Sequence, residues 1–131
     1  MKSESKIINN QVELIKREDQ IYIYRALPKS SISIETLKQM TIAGDTWNGT
    51  ALCANLVDIR EVLFIDSKVR AYSAEQFRPH VAGQALLISS QISSYFANIF
   101  LQFNKPKVPT KLFTKEDEAI VWLKVKMQMH K

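Results

Sequence analysis

Two early segments of the chain alternate apolar and polar residues. In "QVELIKRED" (residues 11–19), Val12 and Leu14 share one face. In "QIYIYRAL" (residues 20–27), Ile21 and Ile23 share one face and Tyr22 and Tyr24 the other. A period of two marks half-buried strands, and the polar Glu18-Asp19 step between them predicts a tight turn and an antiparallel hairpin. The period then changes. Across "PKSSISIETLKQMTIAG", Ile34, Leu37, Met40 and Thr41 fall on one helical face. Ser33 is placed to cap that helix, Glu35 suits the positive end of its dipole, and Gly44 is expected to stop it. "DTWNG" reads as a turn in which Asn48-Gly49 accepts positive φ. "TALCANLVD" is a near-continuous apolar run, the pattern of an interior parallel strand covered on both faces.

Strands and helices alternate from there. "VLFI" allows only a brief strand. "DSKVRAYSAEQFRP" predicts a helix with Val69, Tyr72 and Phe77 inward and Pro79 at its end. "HVAGQALLIS" is the next strand. "SQISSYFANIFLQFN" then carries one helical stripe made of Ile92, Tyr95, Phe96, Ile99, Phe100 and Phe103, capped by Ser89 or Ser90 and stopped at Lys105-Pro106. "VPTKLFT" is a last strand. Thr114 and Asp117 form a variant capping box that launches "KEDEAIVWLKVKMQM", with Ala119, Ile120, Leu123 and Met127 inward. The predicted order is β-β-α-β-(β)-α-β-α-β-α, an α/β chain with an N-terminal antiparallel hairpin followed by βα units on a mostly parallel sheet. Without repeats or linkers, residues 11–128 read as a single domain and residues 1–10 as a flexible N-terminus.

Composition agrees with one globular unit: 131 residues, 46% hydrophobic and 24% charged, with three glycines and four prolines. Three glycines leave no room for a phosphate-cradling loop or a dinucleotide fingerprint. The one cysteine, Cys53, sits mid-strand in "ALCANLV" and is expected to be an inert core thiol. A Cys53/His80/Asp58 trio would lack the turn or helix N-terminus that exposes and acidifies a nucleophilic thiol. His80 and His130 have no ligand-spaced partners, so no metal, cofactor or catalytic residue is expected. The opening residues show no signal-peptide core, and no window is long and apolar enough to span a bilayer, so a cytoplasmic protein is expected.

Charge is uneven. The net charge is +5, and from Gln102 to Lys131 seven lysines face three acids, making Lys105, Lys107 and Lys111 a candidate basic patch. No arginine cluster or interleaved aromatic accompanies them, so the nucleic-acid signal is weak. From Pro79 to Asn104 there is no Asp, Glu, Lys or Arg. Exposed faces carry charge, so this span is expected to be a central strand plus a helix covered on more than one side.

The element order, the helix starting after "FIDS", and the ending "PTKLFTKEDEAIVWLK" together resemble the STAS/SEC14-like, or SpoIIAA-like, group of small bacterial α/β proteins, over roughly residues 11 to 126. The resemblance implies a mixed four- or five-stranded sheet, helices largely on one side, and self-association as a homodimer. In anti-sigma-factor antagonists of that group a "DSSG"-like strand end is phosphorylated on its second serine. Here Asp66 and Ser67 match the first two positions, while Lys68 replaces the acceptor serine and Val69 the glycine. Asp66 and Ser67 are therefore candidates for a helix cap, and Ser67 for a phosphosite beside Lys68.

Two functions are expected from this pattern. The first is a non-enzymatic, regulatory protein-binding module whose surface includes Ser67 and the helix of residues 91–103. The second is a carrier or sensor of an apolar, lipid-like molecule walled by Tyr95, Phe96, Ile99 and Phe100.

Overall fold

The computed structural model describes residues 4–62, 64–65, 67–76, 78–89 and 107–130. The strands are β1 (Glu4–Ile8), β2 (Val12–Lys16), β3 (Ile21–Ala26), β4 (Ser31–Ile32), β5 (Cys53–Asp58), β6 (Phe64–Ile65), β7 (Val81–Leu87) and β8 (Thr110–Phe113). The helices are α1 (Ile34–Asn48), α2 (Ser67–Glu75) and α3 (Glu116–Met129). Among the described residues, six strands form one mixed sheet in the order β1-β2-β3-β5-β7-β8, and β4 pairs with β6 in a separate short ribbon.

The expected hairpin is β2–β3, antiparallel, with Leu14 opposite Tyr24 and Lys16 opposite Tyr22. β3, β5, β7 and β8 then run parallel. Because successive parallel strands step in one direction and such crossovers are right-handed, α1 and α2 fall on the same face. That face packs Val12, Leu14, Tyr22 and Tyr24 against Met40 and Ala43 of α1 and Val69 of α2. On the opposite face α3 lays Ala119, Ile120 and Leu123 over Ile21, Ile23, Leu56, Ala85 and Leu87. Two of the three described helices thus share a side, and the third covers the other. Double coverage explains why β5 and β7 contain no alternation. An irregularity between Cys53 and Asn55 in the β5–β7 register lets Val81 and Gln84 face the same side as α1.

Three details depart from the sequence expectations. Residues Glu4–Ile8, assigned to a flexible terminus, are the edge strand β1, paired with β2 from Glu4↔Lys16 to Ile8↔Val12. Four of its five side chains are exposed, so it is held by backbone pairing and has no buried face to imprint a pattern. Its turn uses Asn9 and Asn10 at φ 51° and 54°, a left-handed geometry that asparagine tolerates. Helix α1 is capped by Ser33, whose hydroxyl accepts from Thr36 N–H at 3.1 Å, as expected. It runs through Gly44, however, and ends at Gly49 (φ 63°). Gly44 is there for space: a Cβ would collide with the Tyr24 hydroxyl. Helix α3 begins without a side-chain cap bond, and Asp117 accepts instead from the neighbouring Glu118 N–H at 2.9 Å. The Thr114 capping box does not form, because Lys115 occupies the cap position.

The stripe of Ile92, Tyr95, Phe96, Ile99, Phe100 and Phe103 lies outside the described residues, as do Asp66, Phe77 and Lys105.

The Gly44–Tyr24 contact makes a testable pair. Gly44→Ala gains helix propensity but must displace a buried ring, so a net loss of about 1–3 kcal/mol is expected in urea unfolding. Combining it with Tyr24→Phe removes the colliding oxygen and leaves the ring carbon at 3.4 Å from the new methyl. The double variant should recover most of that loss, a coupling that independent effects would not produce.

Candidate functional site

Where the sheet meets α1 and α2, packing is incomplete. A cavity of about 100 Å³ lies there. Its apolar walls come from Tyr24 and Ala26 on β3, Met40 on α1, Val57 on β5, Val69 on α2 and Leu86 on β7. Polar groups enter from fixed positions. Asn55 and Gln84 stand side by side in the β5–β7 register and line the sheet wall. Arg70 enters from α2. Its Nη1 donates to the Ile65 carbonyl at 3.0 Å, while its Nε is buried and has no hydrogen-bond partner among the described residues. A smaller hollow of about 60 Å³ shares Leu37, Thr41, Ser73, Arg78 and Gln84 with the first. An apolar chamber with a few convergent polar groups is the ordinary form of a small-molecule site.

A second constellation lies at the carboxyl ends of β3 and β5. Asp58 is 4% exposed, and it is the charged residue that ends the apolar run of β5. Arg60 grips it twice, Nε to Oδ1 at 3.0 Å and Nη2 to Oδ2 at 2.8 Å, and adds its backbone N–H at 3.1 Å. Arg25, its register partner on β3, donates Nη1 to Asp58 Oδ2 at 2.6 Å and reaches Glu116 on α3 at 2.9 Å. Two arginines and two carboxylates thus clamp the start of α3 to the sheet. Burial pushes the Asp58 carboxyl up, but the hydrogen bonds and charge of Arg60, with help from Arg25, outweigh it and hold the group below the usual carboxylate value. All its strong acceptor directions are used, which suits a structural clamp.

At the opposite end of the sheet, Arg78 pairs with Asp45, and His80 Nε2 lies 3.5 Å from the same carboxylate. This ties the end of α1 to the start of β7. The Cys53/His80/Asp58 trio is therefore not assembled. The His80 ring turns to Asp45, and Asp58 is at the far end of β5 from Cys53. Cys53 itself is buried and its thiol is pushed up to about 11 by that burial.

The remaining sequence candidates are scattered. Ser67 is the first helical residue of α2, and both Ser67 and Lys68 are exposed. Lys107 pairs with Glu75 at 3.3 Å, and Lys111 sits 5.4 Å from the Phe113 ring centre. Each is engaged separately. The cavity and the Asp58 clamp were not anticipated. The clamp had a signal in "LVDIRE", where an acid closes an apolar strand and an arginine follows two residues later. The cavity had none, since it is formed by elements distant in sequence. No helix among the described residues is long and apolar enough to cross a membrane.

The clamp predicts a pH effect with a definite sign. A carboxylate whose folded-state pKa is lowered stabilises the fold above its unfolded value of about 3.9 and loses that contribution as pH falls through its folded value. Asp58→Asn should therefore cost about 2 kcal/mol at pH 7, given partly exposed arginines. The gap between variant and parent should narrow as chemical denaturation is repeated below about pH 4.

Comparison with known proteins agrees with this architecture. A crystal structure of an uncharacterised DUF3478-family protein with a SpoIIAA-like fold, from Shewanella loihica PV-4, superposes with a TM-score of 0.57 at 13% identity, covering 94% of this chain and 96% of that one. At that identity the match shows the fold, and the fold is SpoIIAA-like. A protein of unknown function from Arthrobacter sp. FB24 is similar at 24% identity over 86% of this chain and 98% of that one, with a TM-score of 0.31. No curated protein matches the chain. The sequence profile of a domain of unknown function, DUF7793, matches residues 15–126. The chain belongs to the DUF7793 family.

Proposed function

We propose that this protein is a non-enzymatic binding module that holds a small apolar molecule between its helices and its sheet. The observation that carries the reading is the cavity under α1 and α2, walled by Tyr24, Met40, Val69 and Leu86, with Asn55, Gln84 and Arg70 also in its lining. Voids of this size are uncommon in close-packed interiors, and an apolar guest restores the dispersion contacts that their walls lack. The SpoIIAA-like fold and the resemblance to the SEC14-like group support the same reading, since SEC14-type relatives hold lipid-like ligands. The walls expected from the sequence, Tyr95, Phe96, Ile99 and Phe100, are outside the described residues; the described walls carry the proposal.

The experiment is a cavity-filling substitution. Ala26→Leu adds three carbons to the sheet wall of the chamber. Benzene, used as a probe, should raise the melting temperature of the parent protein and shift amide resonances of β3 and α1. It should leave the variant unmoved, while the variant itself gains about 0.5–2 kcal/mol. No response of the parent to benzene, together with no copurifying molecule in native mass spectrometry, would remove the proposal.

A second reading, protein binding through self-association, is supported by a different observation. On the outer face of α3, Val121, Val125 and Met129 are 62%, 44% and 66% exposed and recur at intervals of four. Glu118 and Lys124 flank Val121 at three residues on either side. A two-fold antiparallel crossing at Val121 sets Glu118 of one copy against Lys124 of the other. Light scattering should find a dimer at roughly tens of micromolar and a monomer for Val121→Lys; a monomeric parent removes this reading.

A further inference from the structure

We infer that the cavity is built for a short-chain monocarboxylate, with its carboxylate on Arg70 and its hydrocarbon among Met40, Val69 and Leu86. The inference rests on the ligand-binding reading above and adds the chemical class. Three observations carry it. First, Arg70 brings a fixed positive charge to the wall. Its Nη1 is anchored on the Ile65 carbonyl at 3.0 Å, and among the described residues it pairs with no carboxylate. A guanidinium presents several N–H donors in a fixed fork that matches a carboxylate. An ionised acceptor suits it best, because hydrogen bonds between charged groups are shorter and stronger than neutral ones.

Second, the other charged groups on the wall are engaged. Asp58 is held by Arg25 and Arg60, and Arg78 by Asp45. A second anion therefore has Arg70 to go to. Asn55 and Gln84 add amide groups on the sheet wall that suit a polar head and do not repel it.

Third, size sets the tail. A cavity of about 100 Å³ is smaller than the engineered apolar void of about 150 Å³ that accepts benzene, so it encloses roughly four to six heavy atoms. That fits a branched or linear acid of three to four carbons, which with its two oxygens has five or six heavy atoms. It excludes full enclosure of a long-chain lipid.

The test compares an acid with its neutral isostere. Isobutyrate and isobutyramide differ in charge and in one heavy atom's identity, and they share the same tail. Calorimetry at pH 7 should find isobutyrate binding the parent protein at least about tenfold more tightly than isobutyramide. Arg70→Gln should erase that difference by weakening isobutyrate alone, and the Arg70 Nε–H resonance of the parent should shift with isobutyrate and not with the amide. The resonance readout needs no variant, so a poorly folding Arg70→Gln leaves the inference open to refutation. Equal binding of acid and amide, with an unmoved Nε–H signal, overturns the carboxylate assignment. If benzene still binds in that case, the apolar-cavity reading survives; if neither acid, amide nor benzene binds, both fall.

Discussion

The fold depends on burying the parallel strands β3, β5 and β7 from both sides. α1 and α2 cover one face and α3 the other, so nearly every side chain of β5 is out of water. Such a strand tolerates a polar group only where that group is paired or faces a space of its own. β5 contains two, and they illustrate the two solutions. Asp58, at the strand's end, is neutralised by two arginines and thereby fastens α3. Asn55, at mid-strand, faces the cavity beside Gln84. The clamp and the chamber are thus two consequences of one constraint.

The chamber also has a structural cause. β4 and β6 pair with each other in a ribbon separate from the main sheet, ahead of α1 and α2 in the chain. Small residues such as Ala26 on the facing strand leave the space between sheet and helices unfilled. The two crossovers leave toward the same face, and Val57 and Asp58 from the carboxyl half of β5 are among the residues that line the chamber. In open α/β sheets this is the region where ligands are ordinarily bound. Fold alone does not assign a ligand, and the case for one rests on Arg70, Asn55 and Gln84 as they stand here.

Local features were legible in the sequence to the extent that they follow from local physics. The β2–β3 hairpin, the doubly covered β5, the Ser33 cap and the inward face of α3 each follow from periodicity or from a residue's own hydrogen-bonding capacity. What escaped depends on distant partners. Gly44 reads as a helix stop by its conformational freedom, yet it is kept small by a tyrosine twenty residues earlier. β1 has a period that no core enforces, so only Asn9-Asn10 betrayed it. Arg25 and Glu116 are ninety-one residues apart in the chain and 2.9 Å apart in space, a pairing that no window along the sequence contains.

Arg70 links the chamber to the surface where the sequence first suggested a switch. It is one turn along α2 from Ser67, and its bond to the Ile65 carbonyl ties that turn to the β4–β6 ribbon. Anything that draws the guanidinium further into the chamber acts on this same tie. On the proposed reading, occupancy of the cavity would be expressed first at the start of α2, where Ser67 and Lys68 are exposed, and not in the doubly buried strands. A binding module needs such a route if its bound state is to be read from outside: the sheet is too tightly packed to move, whereas a short helix with only Val69 and Ala74 fully buried is not.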